Sequence, residues 1–73
     1  MQGGDRLLYN EALKSCRLDA NMTQEQVAEA LSVTKGAISQ YENGIGSAPS
    51  ISRLFQLADL YNVTLDQLLG RNK

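Results

Sequence analysis

Residues 23–44, TQEQVAEALSVTKGAISQYENG, decide how this chain folds. Thr23-Gln24-Glu25-Gln26 has the form of a capping box, in which a threonine hydroxyl accepts from the amide three residues on and the glutamine there reaches back to the threonine amide. Met22 and Val27 bracket the box as a hydrophobic staple. A helix therefore starts at a defined place and runs through Leu31, burying Val27, Ala28 and Leu31. Val33-Thr34 repeats the device, with Thr34 as N-cap and Val33 stapled to Ile38, so a further helix begins almost at once and the two must meet at a sharp angle. That helix runs to Asn43 and is closed by Gly44, a residue suited to the left-handed C-terminal position.

Working outward, residues 5–17 carry Leu8, Ala12, Leu13 and Cys16 on one helical face, and Asp19-Ala20-Asn21 breaks the pattern with Asn21 best able to turn left-handed. Downstream, Ile45 to Pro49 is a loop of small residues. Ser50 then caps a fourth helix whose apolar positions Ile51, Leu54, Phe55, Leu57, Ala58 and Tyr61 predict a broad, mostly buried face. Asn62 ends it. Thr64-Leu65-Asp66-Gln67 forms a second Thr-x-x-Gln box with a Val63 and Leu68 staple, opening a short fifth helix that Gly70 terminates. The expectation is an all-α fold, a compact five-helix bundle with a helix-turn-helix at its second and third helices. It occupies residues 5–70, with tails at 1–4 and 71–73.

Seventy-three residues allow one domain and one core, since so short a chain buries only about 60% of its unfolded surface. With 42% apolar residues and a single Pro, the composition is that of a globular domain. No apolar run approaches the ~18 residues needed to cross a bilayer, and the start lacks the basic flank and apolar stretch of a signal peptide. A cytoplasmic protein with no membrane association is expected. Cys16 is the one cysteine and there is no His, which removes an intrachain disulfide and an ordinary zinc site; Cys16 reads as core packing. No metal or cofactor is predicted. Asn21 and Asn62 each open an Asn-x-Thr triplet, an acceptor for glycan only in a secreted protein, and read here as turns. Enzymatic function has no support, because there is no His and no Gly-rich phosphate loop, and the pair Glu25 and Glu29 reads as a solvated helical face.

The net charge of −1 counts against nucleic-acid binding at first sight. The distribution of charge says more: no acidic residue lies between Glu42 and Asp59. In the third helix, at 100° per residue, Lys35, Gly36, Ser39, Gln40 and Asn43 fall on one arc of about 140°, while Ala37, Ile38 and Tyr41 face the other way. The free arc breaks two local rules. Gly36 inside a helix costs roughly 1 kcal/mol relative to Ala, and Lys35 in the first turn opposes the helix dipole. Such violations mark places where function overrides stability. A slender, positive helix N-terminus suits entry into a major groove, with Gly36 and Ser39 permitting close approach and Lys35 and Gln40 reaching base edges. The alternative is an exposed polar face with no partner. Two short capped helices, a very short turn and an apolar fourth helix behind them favour the first reading.

Residues 23–44, with Pro49-Ser50 and the stretch NVTLDQLL downstream, resemble the helix-turn-helix of the lambdoid phage repressor and Cro-type family, over roughly residues 13–69. The resemblance implies a lambda-repressor-like DNA-binding domain of a transcriptional regulator, acting as a repressor on double-stranded, palindromic operator DNA. It places Lys35, Gly36, Ser39 and Gln40 against bases. It places Gln24, Asn43 and Gly44 against the DNA backbone, Gln24 also bracing the reading helix, and Thr23 and Lys14 complete the expected backbone contacts; the other reading of Gln24 is a plain first-turn residue. Arg17 and Glu42 match an internal ion pair tying the first helix to the end of the third, the alternative being two exposed charges. Homodimerisation is expected because one such module makes a small interface, roughly 600 to 1,000 Å². Tyr61, Leu65 and Leu69 are the candidate dimer surface, or else core. A protein-interaction module, such as an antitoxin with a protein partner, is the alternative function. Two departures stand out. Ser32 occupies the turn position usually filled by Gly, and the loop after the third helix lacks basic residues, leaving phosphate contacts to backbone amides, Lys35, Lys14 and Arg53.

Overall fold

The computed structural model describes residues 4–70, with side chains from residue 9 onward. Five helices follow one another: α1 Gly4–Asp19, α2 Gln24–Leu31, α3 Lys35–Asn43, α4 Ile51–Tyr61 and α5 Leu65–Leu68. The first begins a residue earlier and ends two residues later than the pattern predicts, carrying Gly4 out of the expected tail. The expected tails at 1–3 and 71–73, and the side chain of Leu8, lie outside the described residues.

Three of the four corners are made by one three-residue device, Asn21-Met22-Thr23, Ser32-Val33-Thr34 and Asn62-Val63-Thr64. Its first residue is left-handed, with φ of 59°, 60° and 60° respectively. The N–H of its second donates to a carbonyl five residues back, Met22 to Arg17 at 3.2 Å, Val33 to Ala28 at 2.9 Å and Val63 to Ala58 at 3.0 Å. These bonds satisfy carbonyls the helix end would otherwise orphan, and the three apolar side chains turn back onto the core. The third residue, a threonine, caps the helix that follows. Both Thr-x-x-Gln boxes close, Thr23 on Gln26 and Thr64 on Gln67.

The corner after α3 starts alike, with Gly44 at φ 69° and Ile45 N–H donating to Gln40 O at 3.0 Å. Ile45 then stays 59% exposed, and the chain runs on as a loop to buried Pro49 and the Ser50 cap of α4.

The core gathers Leu13 from α1, Val27 and Ala28 from α2, Ile38 from α3, Leu54, Leu57, Ala58 and Tyr61 from α4, and Leu68 from α5. Burying one such large side chain is worth about 1.5–3 kcal/mol, so Ile38 and Leu13, each nearly inaccessible, fix α3 against α1. Leu31 and Cys16 are half-buried at its edge. The apolar face of α4 is narrower than its composition suggests. Ile51 and Phe55 are 65% and 53% exposed, because they lie about 20° and 60° round the helix beyond Ala58, the edge of the stripe through Leu54, Leu57, Ala58 and Tyr61, on the flank away from its partners α1 and α5. Tyr61 is core, which removes it from the expected dimer surface; Leu65 and Leu69 are half-buried.

Candidate nucleic-acid interface

Everything about the candidate surface depends on how α3 is held. Ile38 and the half-buried Ala37 and Tyr41 turn inward, while Lys35, Gly36, Gln40 and Asn43 are exposed and Ser39 is half-buried among them. The arc read from the sequence is thus the free side of α3. Thr34 accepts from Ala37 N–H at 3.1 Å, fixing the start of the helix.

Gly36 explains itself by what is not near it. A Cβ built there meets only Thr34 Oγ1, at 3.8 Å, an ordinary contact, and its backbone is helical. Nothing among the described residues requires glycine at this position. Gly44 is the opposite case. Besides its positive φ, an added Cβ would collide with the Asn10 side chain, so α1 packs against the backbone just past the end of α3.

Behind α3 lies a buried network. Arg17 Nε donates to Glu42 Oε2 at 2.7 Å, and Arg17 Nη2 to Glu42 Oε1 at 3.1 Å, a fork onto one carboxylate. Arg17 Nη1 donates to Met22 O at 2.9 Å, securing the chain just before α2. Gln24 Nε2 donates to the same Glu42 Oε1 at 3.1 Å. Arg17 and Glu42 are 8% and 7% exposed, which settles them as an internal pair. The Arg17 guanidinium is held further into its charged form, chiefly by its hydrogen bond to Glu42, with burial opposing. One carboxylate at the end of α3 therefore collects α1, the turn before α2, and the first residue of α2. The family resemblance implied the pair and a bracing part for Gln24, but not the Gln24–Glu42 bond itself, since glutamine at a helix start carries no signal of its partner.

The backbone-facing candidates form two groups flanking α3. At its start, Thr23, Gln24 and Lys35 line one shallow depression. At its end, Lys14 and Asn43 line another, between α1 and α3, beside Gly44. On the free face Asn43 Nδ2 donates to Ser39 Oγ at 3.2 Å, linking a base-facing and a backbone-facing candidate. Gln40 leans towards the loop, its Oε1 3.3 Å from where a Cβ of Gly46 would stand. Arg53 departs from expectation. Its Nη1 donates to Gln56 Oε1 at 2.8 Å and to Leu31 O at 3.4 Å, so its charge sits on the C-terminal end of α2, where the helix dipole favours a cation.

Two short capped helices meeting at a left-handed turn, with the second anchored by its apolar side and polar on the other, define a helix-turn-helix. The helix-turn-helix family model matches residues 13–68, and the chain belongs to that family. Among its relatives, the chain is 43% identical over 62 residues to the HTH-type transcriptional activator BcrR of Enterococcus faecalis, an alignment covering 85% of this chain and 30% of BcrR. It is 38% identical over 61 residues to the HTH-type transcriptional regulator ImmR of Bacillus subtilis, covering 84% and 47%. It is 33% identical over 61 residues to the cryptic phage CTXphi transcriptional repressor RstR of Vibrio cholerae, covering 84% and 54%. The chain thus spans from about a third to about half of these relatives.

Proposed function

We propose that this chain is the operator-binding module of a cytoplasmic transcriptional regulator, inserting α3 into the major groove of double-stranded DNA. Lys35, Gly36, Ser39 and Gln40 face base edges; Thr23, Gln24, Lys14, Asn43 and the backbone of Gly44 face phosphates. The observation that carries this reading is Gly36: a residue that weakens its own helix, stands in open space and has no reason within the fold to lack a side chain. Close approach of another molecule supplies the reason.

The module acts as a homodimer on a palindromic site, with half-sites about one turn, ~34 Å, apart. Leu65 and Leu69 remain its proposed contact surface, and the exposed Ile51 and Phe55 offer apolar area beyond it. Repression is the proposed sense of regulation, as for the repressor RstR; BcrR, an activator by name, shows that relatives include both.

The test is selection of bound sequences from random DNA, followed by Gly36→Ala. A two-fold symmetric motif is the expected result. Gly36→Ala should stabilise the fold by about 0.5–1 kcal/mol while weakening binding to the selected site about tenfold, the size of one lost base-edge contact. No motif at low salt would overturn the reading. Unchanged binding by Gly36→Ala would overturn the assignment of that face. The second reading, a module that binds another protein as an antitoxin does, is favoured by the exposure of Ile51 and Phe55, and recovery of a stable heteromeric complex in place of a DNA motif would establish it.

A further inference from the structure

The cations available to DNA on this surface are few. Of those whose side chains are described, Arg17 is committed to Glu42 and Arg53 to Leu31 and Gln56, which leaves Lys14 at one end of α3 and Lys35 at the other. Each shares its depression with a carboxylate. Glu11 lines the depression that holds Lys14 and Asn43. Glu25 lines both depressions that Lys35 borders, with Glu29 one turn behind it in the second. Among the described residues no ion pair joins either lysine to these carboxylates. All five side chains are exposed. Glu25 in the first turn of α2 favours the helix dipole, and Glu11 stands three residues before Lys14 on α1, the spacing at which side chains on a helix are neighbours.

We propose that Glu11 and Glu25 are internal counter-charges that compete with DNA phosphate for Lys14 and Lys35, restraining binding to DNA of arbitrary sequence. The inference rests on the DNA-binding reading above. A lysine ammonium is a mobile point charge on a flexible stem, able to lean to a carboxylate in the free protein and to a phosphate in the complex. Transfer between the two releases fewer DNA counterions per contact than capture by an uncommitted lysine, because the new phosphate contact is partly opposed by the carboxylate left behind. Glu11 and Lys14 are i, i+3 neighbours on α1 and Glu25 shares both its depressions with Lys35, while exposed charges act over ~8 Å at physiological salt. Binding that depends wholly on phosphates loses most from this arrangement. Binding that adds base-edge contacts retains them.

The experiment measures affinity for random-sequence DNA over a salt series for the chain as it stands and for Glu11→Gln with Glu25→Gln. The paired substitution should tighten binding about tenfold at low salt and steepen the log–log salt dependence by up to about 0.9 for each lysine released. In a chain that also carries Lys14→Gln and Lys35→Gln the gain should vanish. An equal gain with and without the lysines would mean that the carboxylates act only through net charge, and no gain at all would mean that they do not act; either overturns the proposal. Because both glutamate positions are exposed, an unchanged melting temperature verifies that folding is intact. Binding by the paired variant where the unsubstituted chain binds nothing still supports it. No binding by either chain, to random or selected DNA, overturns the DNA-binding reading and the counter-charges together.

Discussion

Glu42, in the last turn of α3, ties that helix to α1 and to the start of α2. Its carboxylate takes two bonds from Arg17 and one from Gln24, all away from the free face of α3. Replacing it with Gln removes the charge and leaves the Arg17 guanidinium buried without its partner. Glu42→Gln should cost about 3 kcal/mol, read as a lowered midpoint in urea with an unchanged slope. An unchanged midpoint would mean that solvent reaches Arg17. The two glutamines of the interface should differ in kind. Gln40 stands on the exposed arc of α3, whereas Gln24 donates one amide hydrogen to Glu42 and, in the proposed function, offers the other to a phosphate. Gln40→Ala should relax base preference at one or two positions of each half-site, an amide on a base edge being worth ~1–3 kcal/mol of discrimination. Gln24→Ala should weaken all sites by one common factor. Affinities for a panel of single-base operator variants, at one fixed salt concentration, separate the two outcomes, and a reversal would exchange their roles.

At the scale of the element, the turn between α2 and α3 is held by Ser32 at φ 60°, ψ 43°, with its N–H shared between Ala28 O and Glu29 O. A side chain pays a steric cost in this region that glycine does not. Ser32→Gly should therefore stabilise the fold by about 0.5–1 kcal/mol, net of the greater chain entropy of glycine, measured as a raised denaturation midpoint. A lowered midpoint would show that the Ser32 side chain contributes to the turn. Helix boundaries were legible in the sequence because their signals are local: Thr23, Thr34, Ser50 and Thr64 all cap where their spacing predicts, and Asn21, Ser32, Gly44 and Asn62 all turn left-handed. What a side chain does across helices was less legible. Arg53 reads as a surface cation by composition, but its reach back to Leu31 depends on how closely the start of α4 approaches the end of α2, which no local pattern encodes. The burial of Tyr61 and the exposure of Phe55, six positions apart on one helix, likewise depend on which flank of α4 has a neighbour.

For the molecule as a whole, Tyr61 makes the core sensitive to alkali. Its phenol is 6% exposed, and burial first, then the nearby Glu42 carboxylate, push its pKa up from the ordinary 10.0. A folded pKa above the unfolded one gives stability that is complete below about pH 10 and is lost as the pH climbs towards the folded value, since only the unfolded chain ionises readily there. The urea midpoint should fall above pH 10, and Tyr61→Phe should flatten that fall. An equally steep fall in Tyr61→Phe would assign it to other groups. The repeated corner has a kinetic side as well. Three of the four changes of direction are encoded within a left-handed residue, an apolar residue and a threonine, so each forms from neighbours in the chain without waiting for distant segments to meet. A helical chain built from such contacts has little loop-closure entropy to overcome, and its refolding belongs on the microsecond-to-millisecond scale. The surface that α3 presents is therefore restored by local contacts within the chain soon after any disturbance that opens it.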